Sequence, residues 1–395
     1  MLNLQDEHLR HSALRFVLLM GLVSLFADMT YEAGRSVTGP YLALLGASAT
    51  AVGIIAGLGE LIGYGLRIFT GIISDRTQRY WLITIIGYAV NVLAVPALAL
   101  AGHWETAAVL IIVERLGKAI RAPARDAMLS HAACTVGKGW GFAIHEAMDQ
   151  IGAMLGPMIV AVVLAWKGSY PYAFAALVLP ALLAISTLII AKLIYPQPQK
   201  LENVMEEVNQ KPFRTVFWLY LVAVGLVAAG FADFPLIAFH VKISRLIPDE
   251  WIPLLYSGAM GVDALSALLI GRLYDKIGLP ILMIFVGITA PFAPLAFSTN
   301  VGALLGGILL WGIGLGAQES VIRAVVIDLV PRNRRATGYG VFNTGFGIAW
   351  FIGSAVMGIL YDWSLLSLVI FSVALQLASI PLIYMVYLRL GDYHK

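Results

Sequence analysis

A single cysteine, Cys134, occurs in the whole 395-residue chain. That excludes a disulfide within the chain, and with it any metal site built on several thiolates. Charge is scarce as well. Asp, Glu, Lys and Arg together make 12% of the residues, against roughly 25% in ordinary soluble domains. The sequence has no phosphate-cradling glycine loop and no nucleophile elbow, which argues against an enzyme, and no cofactor is expected. Nor is there a polar stretch long enough to hold a soluble recognition module or a nucleic-acid-binding domain.

What fills the chain is apolar sequence: 60% of residues are hydrophobic and the mean hydropathy is +0.85. The chain therefore reads as an all-α protein of the lipid bilayer, with about twelve transmembrane helices of roughly 20 residues each. The apolar runs lie near 14–44, 50–73, 81–101, 106–126, 140–166, 171–194, 214–241, 251–273, 279–298, 301–328, 336–361 and 364–388. Ahead of the first run, Asp6, Glu7, His8, Arg10 and Arg15 precede no short apolar core or cleavage site, so no removable leader is expected. One polar connection, 195–213, separates an N-terminal bundle of six spans (1–194) from a C-terminal one (214–395).

Lys and Arg are distributed unevenly between the two sides. With the N-terminus inside, about eighteen of them fall on inner segments, and only Lys167, Lys242 and Arg245 on outer ones. Both termini are accordingly expected in the cytoplasm, in the inner membrane of the cell. The two halves also echo each other. Phe26-Ala27-Asp28 recurs as Phe231-Ala232-Asp233, Gly71 with Asp75-Arg76 as Gly271 with Asp275-Lys276, and Ile120-Arg121 as Ile322-Arg323. Offsets of about 200 to 205 residues imply two parallel, pseudo-symmetric six-helix bundles.

Against this apolar background the intramembrane charges stand out, because each costs about 2.5 to 3.5 kcal/mol near the bilayer centre unless it is paired or faces a wet cavity. Asp28, Glu32 and Arg35 share one stripe of the first span. Span four carries Glu114, Lys118, Arg121 and Arg125 on one stripe, with Arg115 beside it. Counted along straight helices, Arg115 is the expected partner of Asp28 or Glu32. Arg121 and Arg125 read as interfacial anchors. Arg35, just before Pro40, stands between pairing and reaching the headgroups.

Span five adds His145, Glu146 and Asp149, expected to join span four in a charge network; a metal site would need more converging ligands. In the second half Asp233, Asp263, Glu319 and Arg323 are candidate cavity residues, with Glu319 and Arg323 spaced to neutralise each other. Asp263 and Glu60 have no evident local partner. Tyr31, Tyr64, Trp140, Trp311, Phe342, Phe346 and Trp350 are candidates either for a cavity wall or for packing.

Three motifs carry a resemblance to the major facilitator superfamily. Gly71-Ile-Ile-Ser-Asp75-Arg76-Thr-Gln-Arg79 resembles its loop signature, with Tyr80 where a final basic residue is usual. Arg115-Leu-Gly-Lys118-Ala119 resembles a motif of proton-coupled members, with Lys118 in place of Gln. Gly152-Ala-Met-Leu-Gly156-Pro157 partly resembles the antiporter motif. The resemblance implies a gating latch at Gly71, Asp75, Arg76 and Arg79, and a bend at Gly152, Gly156 and Pro157 where the halves meet. It further implies a monomeric secondary transporter that moves a small organic compound by alternating access, with proton-coupled efflux through Asp28, Glu32, Arg115, Lys118, His145, Glu146 and Asp149. Two alternatives stay open: an anionic-metabolite carrier using Arg115, Lys118 and Arg121, and a divalent-metal carrier using Asp28, His145 and Asp149.

Overall fold

The computed structural model describes residues 2–136, 138–198, 215–322, 325, 326, 329 and 335–393, and every regular element among them is helical. The helices are α1 (Leu2–Leu44), α2 (Ala49–Gly65), α3 (Arg67–Thr77), α4 (Tyr80–Ala97), α5 (Trp104–Val136), α6 (Lys138–Lys167), α7 (Tyr170–Ala176) and α8 (Val178–Ile194). After the polar connection come α9 (Thr215–Gly230), α10 (Phe234–Ile243), α11 (Ile252–Ile277), α12 (Pro280–Thr289), α13 (Phe292–Ala296), α14 (Val301–Ala317), α15 (Arg335–Trp363) and α16 (Leu365–Tyr393). A π-helical turn, Gln318–Ile322, extends α14.

Ten stretches among the described residues are long and apolar enough to cross a membrane, and Pro280–Ala296 is a shorter apolar one. Helix α5 is long enough but carries Glu114, Arg115, Lys118, Arg121, Arg125 and Asp126. With these two the described residues hold twelve helical stretches, consistent with the twelve spans expected. Several expected spans are broken: 50–73 at Leu66, 171–194 at Leu177, 279–298 around Pro291 and 214–241 at residues 231–233.

The packing forms two compact units, one of residues 1–34 with 66–206 and one of residues 35–65 with 207–395. Within lipid there is little hydrophobic force between helices, so close approach through small residues carries the association. In the first unit α4 and α5 meet at Gly87 and Gly117: a Cβ on Gly87 would lie 2.7 Å from Arg121 Cβ, and one on Gly117 the same distance from Asn91 Cα. Helix α6 meets α1 at Gly152 and Gly156, where a Cβ would run into the carbonyls of Leu25 and Met29. Away from these crossings the unit is filled by Phe16, Val17, Met20, Tyr88, Val92, Met128 and Leu188.

In the second unit α2 lies on α15, with Gly53 and Gly57 against Ser354, Phe351 and Gly358. The N-terminus of α2 is capped from α15: Asp362 accepts the backbone N–H of Ala49 at 3.2 Å and of Thr50 at 2.8 Å, and the Thr50 hydroxyl at 2.6 Å. Both charge and geometry favour an acid there, because it meets orphan N–H groups at the positive end of the helix.

The break at 231–233 follows from Pro235. Proline has no N–H to give the carbonyl four residues back, Phe231, and its ring clashes with that carbonyl in a continuous helix. The carbonyls around the break are met by side chains: Trp311 Nε1–H donates to Ala232 at 2.9 Å, Ser372 to Gly230 at 2.6 Å, and Gln376 to Val227 at 3.0 Å. Irregular backbone at membrane depth persists only where such partners or a cavity exist. Replacing Trp311 by Phe keeps an aromatic ring, smaller than the indole, and removes the donor to a buried carbonyl. Denaturant unfolding of the detergent-solubilised protein is expected to show a loss of about 1–3 kcal/mol, with Ser372→Ala acting in the same direction.

Candidate functional site

The centre of the first unit holds Asp28, 5% exposed, and Arg121, 1% exposed. Asp28 Oδ1 lies 4.0 Å from Arg121 Nη2. The guanidinium stacks over the Tyr88 ring at 4.3 Å, and Lys118 Nζ stands 4.1 Å from the centroid of Tyr31. Both contacts are cation–π geometries that strengthen away from water. The electrostatic neighbours of Lys118 are Glu32, Arg115, Asp28 and Glu114. The charged stripes of α1 and α5 thus face each other.

Their register corrects two expectations. Asp28 meets Arg121 rather than Arg115, and Arg121 is no interfacial anchor. Asp28 stands sixteen residues before the end of α1 and Arg121 seventeen after the start of α5, so the two come level at about 24 to 26 Å. Arg115 is paired with Glu114, its Nε 3.2 Å from Oε2. Glu114 Oε1 in turn accepts from Asn91 Nδ2 at 2.7 Å.

A second group adjoins the first through Ser24, one turn before Asp28. Ser24 Oγ is 3.0 Å from His145 Nε2, 3.3 Å from Arg125 Nη1 and 3.5 Å from the Tyr88 hydroxyl. His145 Nδ1 lies 3.4 Å from Asp149 Oδ2, and Arg125 pairs with Asp126 at 2.8 Å. The expected network between spans four and five is present, with Ser24 as the link that sequence reading missed. Its signal was available: position i−4 on the stripe of Asp28. Glu146, expected in the same network, is exposed instead. His145 and Asp149 share a face at i, i+4, whereas Glu146 is turned about 100° from His145.

Gly152 and Gly156 pack on α1 of their own unit, where a Cβ on Gly152 would also stand 3.0 Å from Asp28 Cβ. Within the unit this contact sets the position of Asp28, with Pro157 following inside α6. In the loop motif Gly71 faces Pro123 of α5. Asp75, Arg76 and Arg79 are exposed. Gln78 ends α3 in the left-handed conformation, φ 53°, its N–H donating to Ser74 O. Asp75 therefore sits at the C-terminal turn of its own helix.

The second unit contains a charge cluster that sequence reading assembled only in part. Arg35 Nη2 is 3.1 Å from Glu60 Oε1 and 2.9 Å from Asp233 Oδ1. The other oxygen of Asp233 accepts from Trp350 Nε1–H at 2.8 Å and from the Ser354 hydroxyl at 3.2 Å. Arg35 thus pairs within protein rather than reaching headgroups, and Glu60 has a partner 25 residues away in the chain. Asp233 is the last residue of the helix break, with extended backbone (φ −67°, ψ 144°). Aromatic rings surround it: Trp350 lies 5.5 Å from Phe346 and 6.2 Å from Phe231, and Phe231 is 5.8 Å from Trp311.

Asp263 is buried in α11 at 1% exposure, and Glu319 lies in the π-helical turn. Arg323, the expected mate of Glu319, lies outside the described residues, as does the side chain of Trp140. Phe342 stacks on Tyr220 at 6.1 Å and Phe346 meets Tyr64 edge-on at 5.9 Å. Among the described residues no group of three or more His, Cys, Asp or Glu is gathered as a metal site, so the proposed Asp28, His145 and Asp149 ligand set does not converge.

Comparison with known proteins agrees with this architecture. Residues 18–246 and 234–394 match the Major Facilitator Superfamily. An uncharacterised protein of Mycobacterium tuberculosis is 41% identical over 380 residues, covering 94% of this chain and 93% of its own. An uncharacterised transporter of the same superfamily type from Methanocaldococcus jannaschii is 25% identical over 358 residues, covering 88% of this chain and 89% of its own. Among solved structures, a nucleoside transporter superposes with a TM-score of 0.71 at 13% identity, over 94% of this chain and 98% of its own, a likeness of fold alone. Twelve spans, paired intramembrane charges and the family match together make this chain a member of the Major Facilitator Superfamily, an integral membrane transporter.

Proposed function

We propose that the protein is a proton-coupled secondary transporter that expels a small organic compound by alternating access of two six-helix halves, 1–194 and 214–395, joined by the connection 195–213. The observation that carries this reading is the buried Asp28 carboxylate, 4.0 Å from Arg121, within a group that also holds Lys118 and Glu32. A carboxyl in such a place changes its proton affinity strongly with small changes of distance to the cations and of access to water. Protonation releases Arg121, and the two arrangements of the pair bias the conformational equilibrium. Ser24, His145 and Asp149 continue the polar path from this centre along α6. Efflux rests on the partial Gly152-x-x-x-Gly156-Pro157 resemblance, a monomer on the family resemblance, and both termini in the cytoplasm on the charge distribution of the loops.

A second reading, transport of an anionic metabolite over Arg115, Lys118 and Arg121, draws support from Arg121. Its Nε and Nη1 are buried with no hydrogen-bond partner among the described residues. They are donors that an anion would satisfy.

Purified protein in proteoliposomes under an imposed proton gradient separates these readings. Asp28→Asn and Glu32→Gln are each expected to reduce gradient-driven transport below about a tenth of wild type without loss of folded protein. Unchanged transport and unchanged pH dependence in both variants would sink the coupling role. Lys118→Gln is expected to retain substrate binding; its loss, together with competition by carboxylates or phosphates, favours the anionic substrate. Gly152→Leu, which drives a side chain into α1 beside Asp28, is expected to depress the same flux while the substitution of exposed Glu146 by Gln leaves it unchanged.

A further inference from the structure

The charge cluster of the second unit is not used by the coupling scheme. Three observations converge on it. The seventh span is unwound at residues 231–233, within a stretch otherwise long and apolar enough to span the membrane; interrupted helices in transporters mark binding sites because unwound backbone is tolerated where it lines a cavity. Asp233, 2% exposed, sits at that break with its two oxygens in different roles. Oδ2 is held by two neutral donors, Trp350 and Ser354, which orient the carboxylate without cancelling its charge. Oδ1 takes a cation, the Arg35 guanidinium. Trp350, which donates to the carboxylate, belongs to a chain of buried aromatic rings with Phe346, Phe231 and Trp311.

Arg35 and Glu60 belong to the first sequence half, whereas Asp233, Trp350 and Ser354 belong to the second. Arg35 and Glu60 pack in the second unit here although the first half of the sequence supplies them. If the halves rock, as the reading above requires and on which this inference rests, one access state draws Arg35 away from Asp233. A buried carboxylate fixed by neutral donors then needs another counter-charge. An ordered carboxylate joined at the edge of an aromatic group suits a flat organic cation, which gains the ion pair and, on reaching a ring face, cation–π contact.

We propose that Asp233 and Trp350 form the recognition point for the cationic group of the transported compound, an amine, amidine or guanidine on an aromatic body, and that Arg35 is the built-in competitor that occupies this point when the compound is absent. Return of Arg35 to Asp233 displaces the cation and promotes its release. The order of events is an exchange of one cation for another at Oδ1, with no covalent step.

The test uses ethidium, a planar aromatic monocation, bound to the purified full-length protein in detergent and followed by fluorescence anisotropy. Removing the competitor in Arg35→Gln is expected to tighten ethidium binding by about tenfold or more, since the site is then no longer shared. Asp233→Asn is expected to abolish binding in both the wild-type and the Arg35→Gln background, and Trp350→Phe to weaken it several-fold. A purely structural Arg35 gives the opposite sign, weaker binding in Arg35→Gln. If that variant yields no folded protein, Arg35→Lys, which keeps the charge but loses the planar fork, is expected to shift affinity in the same direction by less.

Ethidium affinity in Asp233→Asn equal to wild type, or no tightening in either Arg35 variant, overturns the proposal. Proton-driven flux of ethidium, a neutral dye and an anionic dye is measured beside it. Flux of the neutral or anionic dye without an ethidium response leaves the transport reading standing and removes this one. The stated ethidium response without any proton-driven flux does the reverse.

Discussion

Burial of charge in a medium that cannot solvate it is the constraint on which this structure depends. Some intramembrane ionic groups find a partner on their own helix, as Arg115 does in Glu114, but Asp28 and Arg121 meet across helices, so those helices have to approach closely at the right depth. Bulky apolar residues would hold them apart. The chain resolves this by placing glycine where charged stripes meet: Gly87 lies beneath Arg121, and Gly152 beneath Asp28. A bare backbone at these two points brings α4 onto α5 and α6 onto α1, and the guanidinium of Arg121 reaches the Asp28 carboxylate between them. Packing and electrostatics are here one requirement, since a Cβ added at either glycine displaces a member of the ion pair.

The repeated tripeptide Phe-Ala-Asp shows how far two copies of one pattern diverge under a single neighbouring residue. In the first half Thr30 follows Asp28 by two places and, unlike proline, keeps a backbone N–H for the helix, so α1 stays continuous; its hydroxyl also donates to Phe26 O at 2.9 Å. In the second half the matching residue is Pro235, which can neither donate to Phe231 nor allow the helix to pass. Asp28 therefore projects from an unbroken helix, while Asp233 stands at the end of a break whose carbonyls are bonded by Trp311, Ser372 and Gln376.

Much of this was legible in the sequence. Hydropathy alone implies about twelve helices, because lipid permits little else, and the cost of buried charge singles out Asp28, Glu32, Lys118, His145 and Asp149. What was not legible was depth. Arg115 and Arg121 lie six residues apart on one helix, about 9 Å, and the choice between them turns on where helix ends fall, which hydropathy locates to a few residues. Arg35 was ambiguous for a related reason: a long side chain near a helix end reaches either headgroups or a partner. Only the tertiary placement of Glu60 and Asp233, 25 and 198 residues away in the chain, decides for pairing. Ser24 and the Pro235 break were readable by spacing and by ring chemistry respectively, yet neither stands out against composition.

The two acids now differ in a way that bears on how a carrier divides its labour. Asp28 has Arg121, Lys118 and Glu32 as neighbours within its own packing unit, so its charge state alters forces inside one bundle and needs no separation of helices to be felt. Asp233 is met by Arg35, a cation from the other sequence half that is itself paired with Glu60, so under the proposed rocking of the halves its pairing would change. A group whose partners travel with it is suited to sense a proton; a group whose partner leaves is suited to accept a replacement. On the proposed mechanism, carrying both acids would let proton binding and cargo exchange act on one conformational equilibrium from separate places, which is the condition for coupling two fluxes without the two ligands competing for one carboxylate.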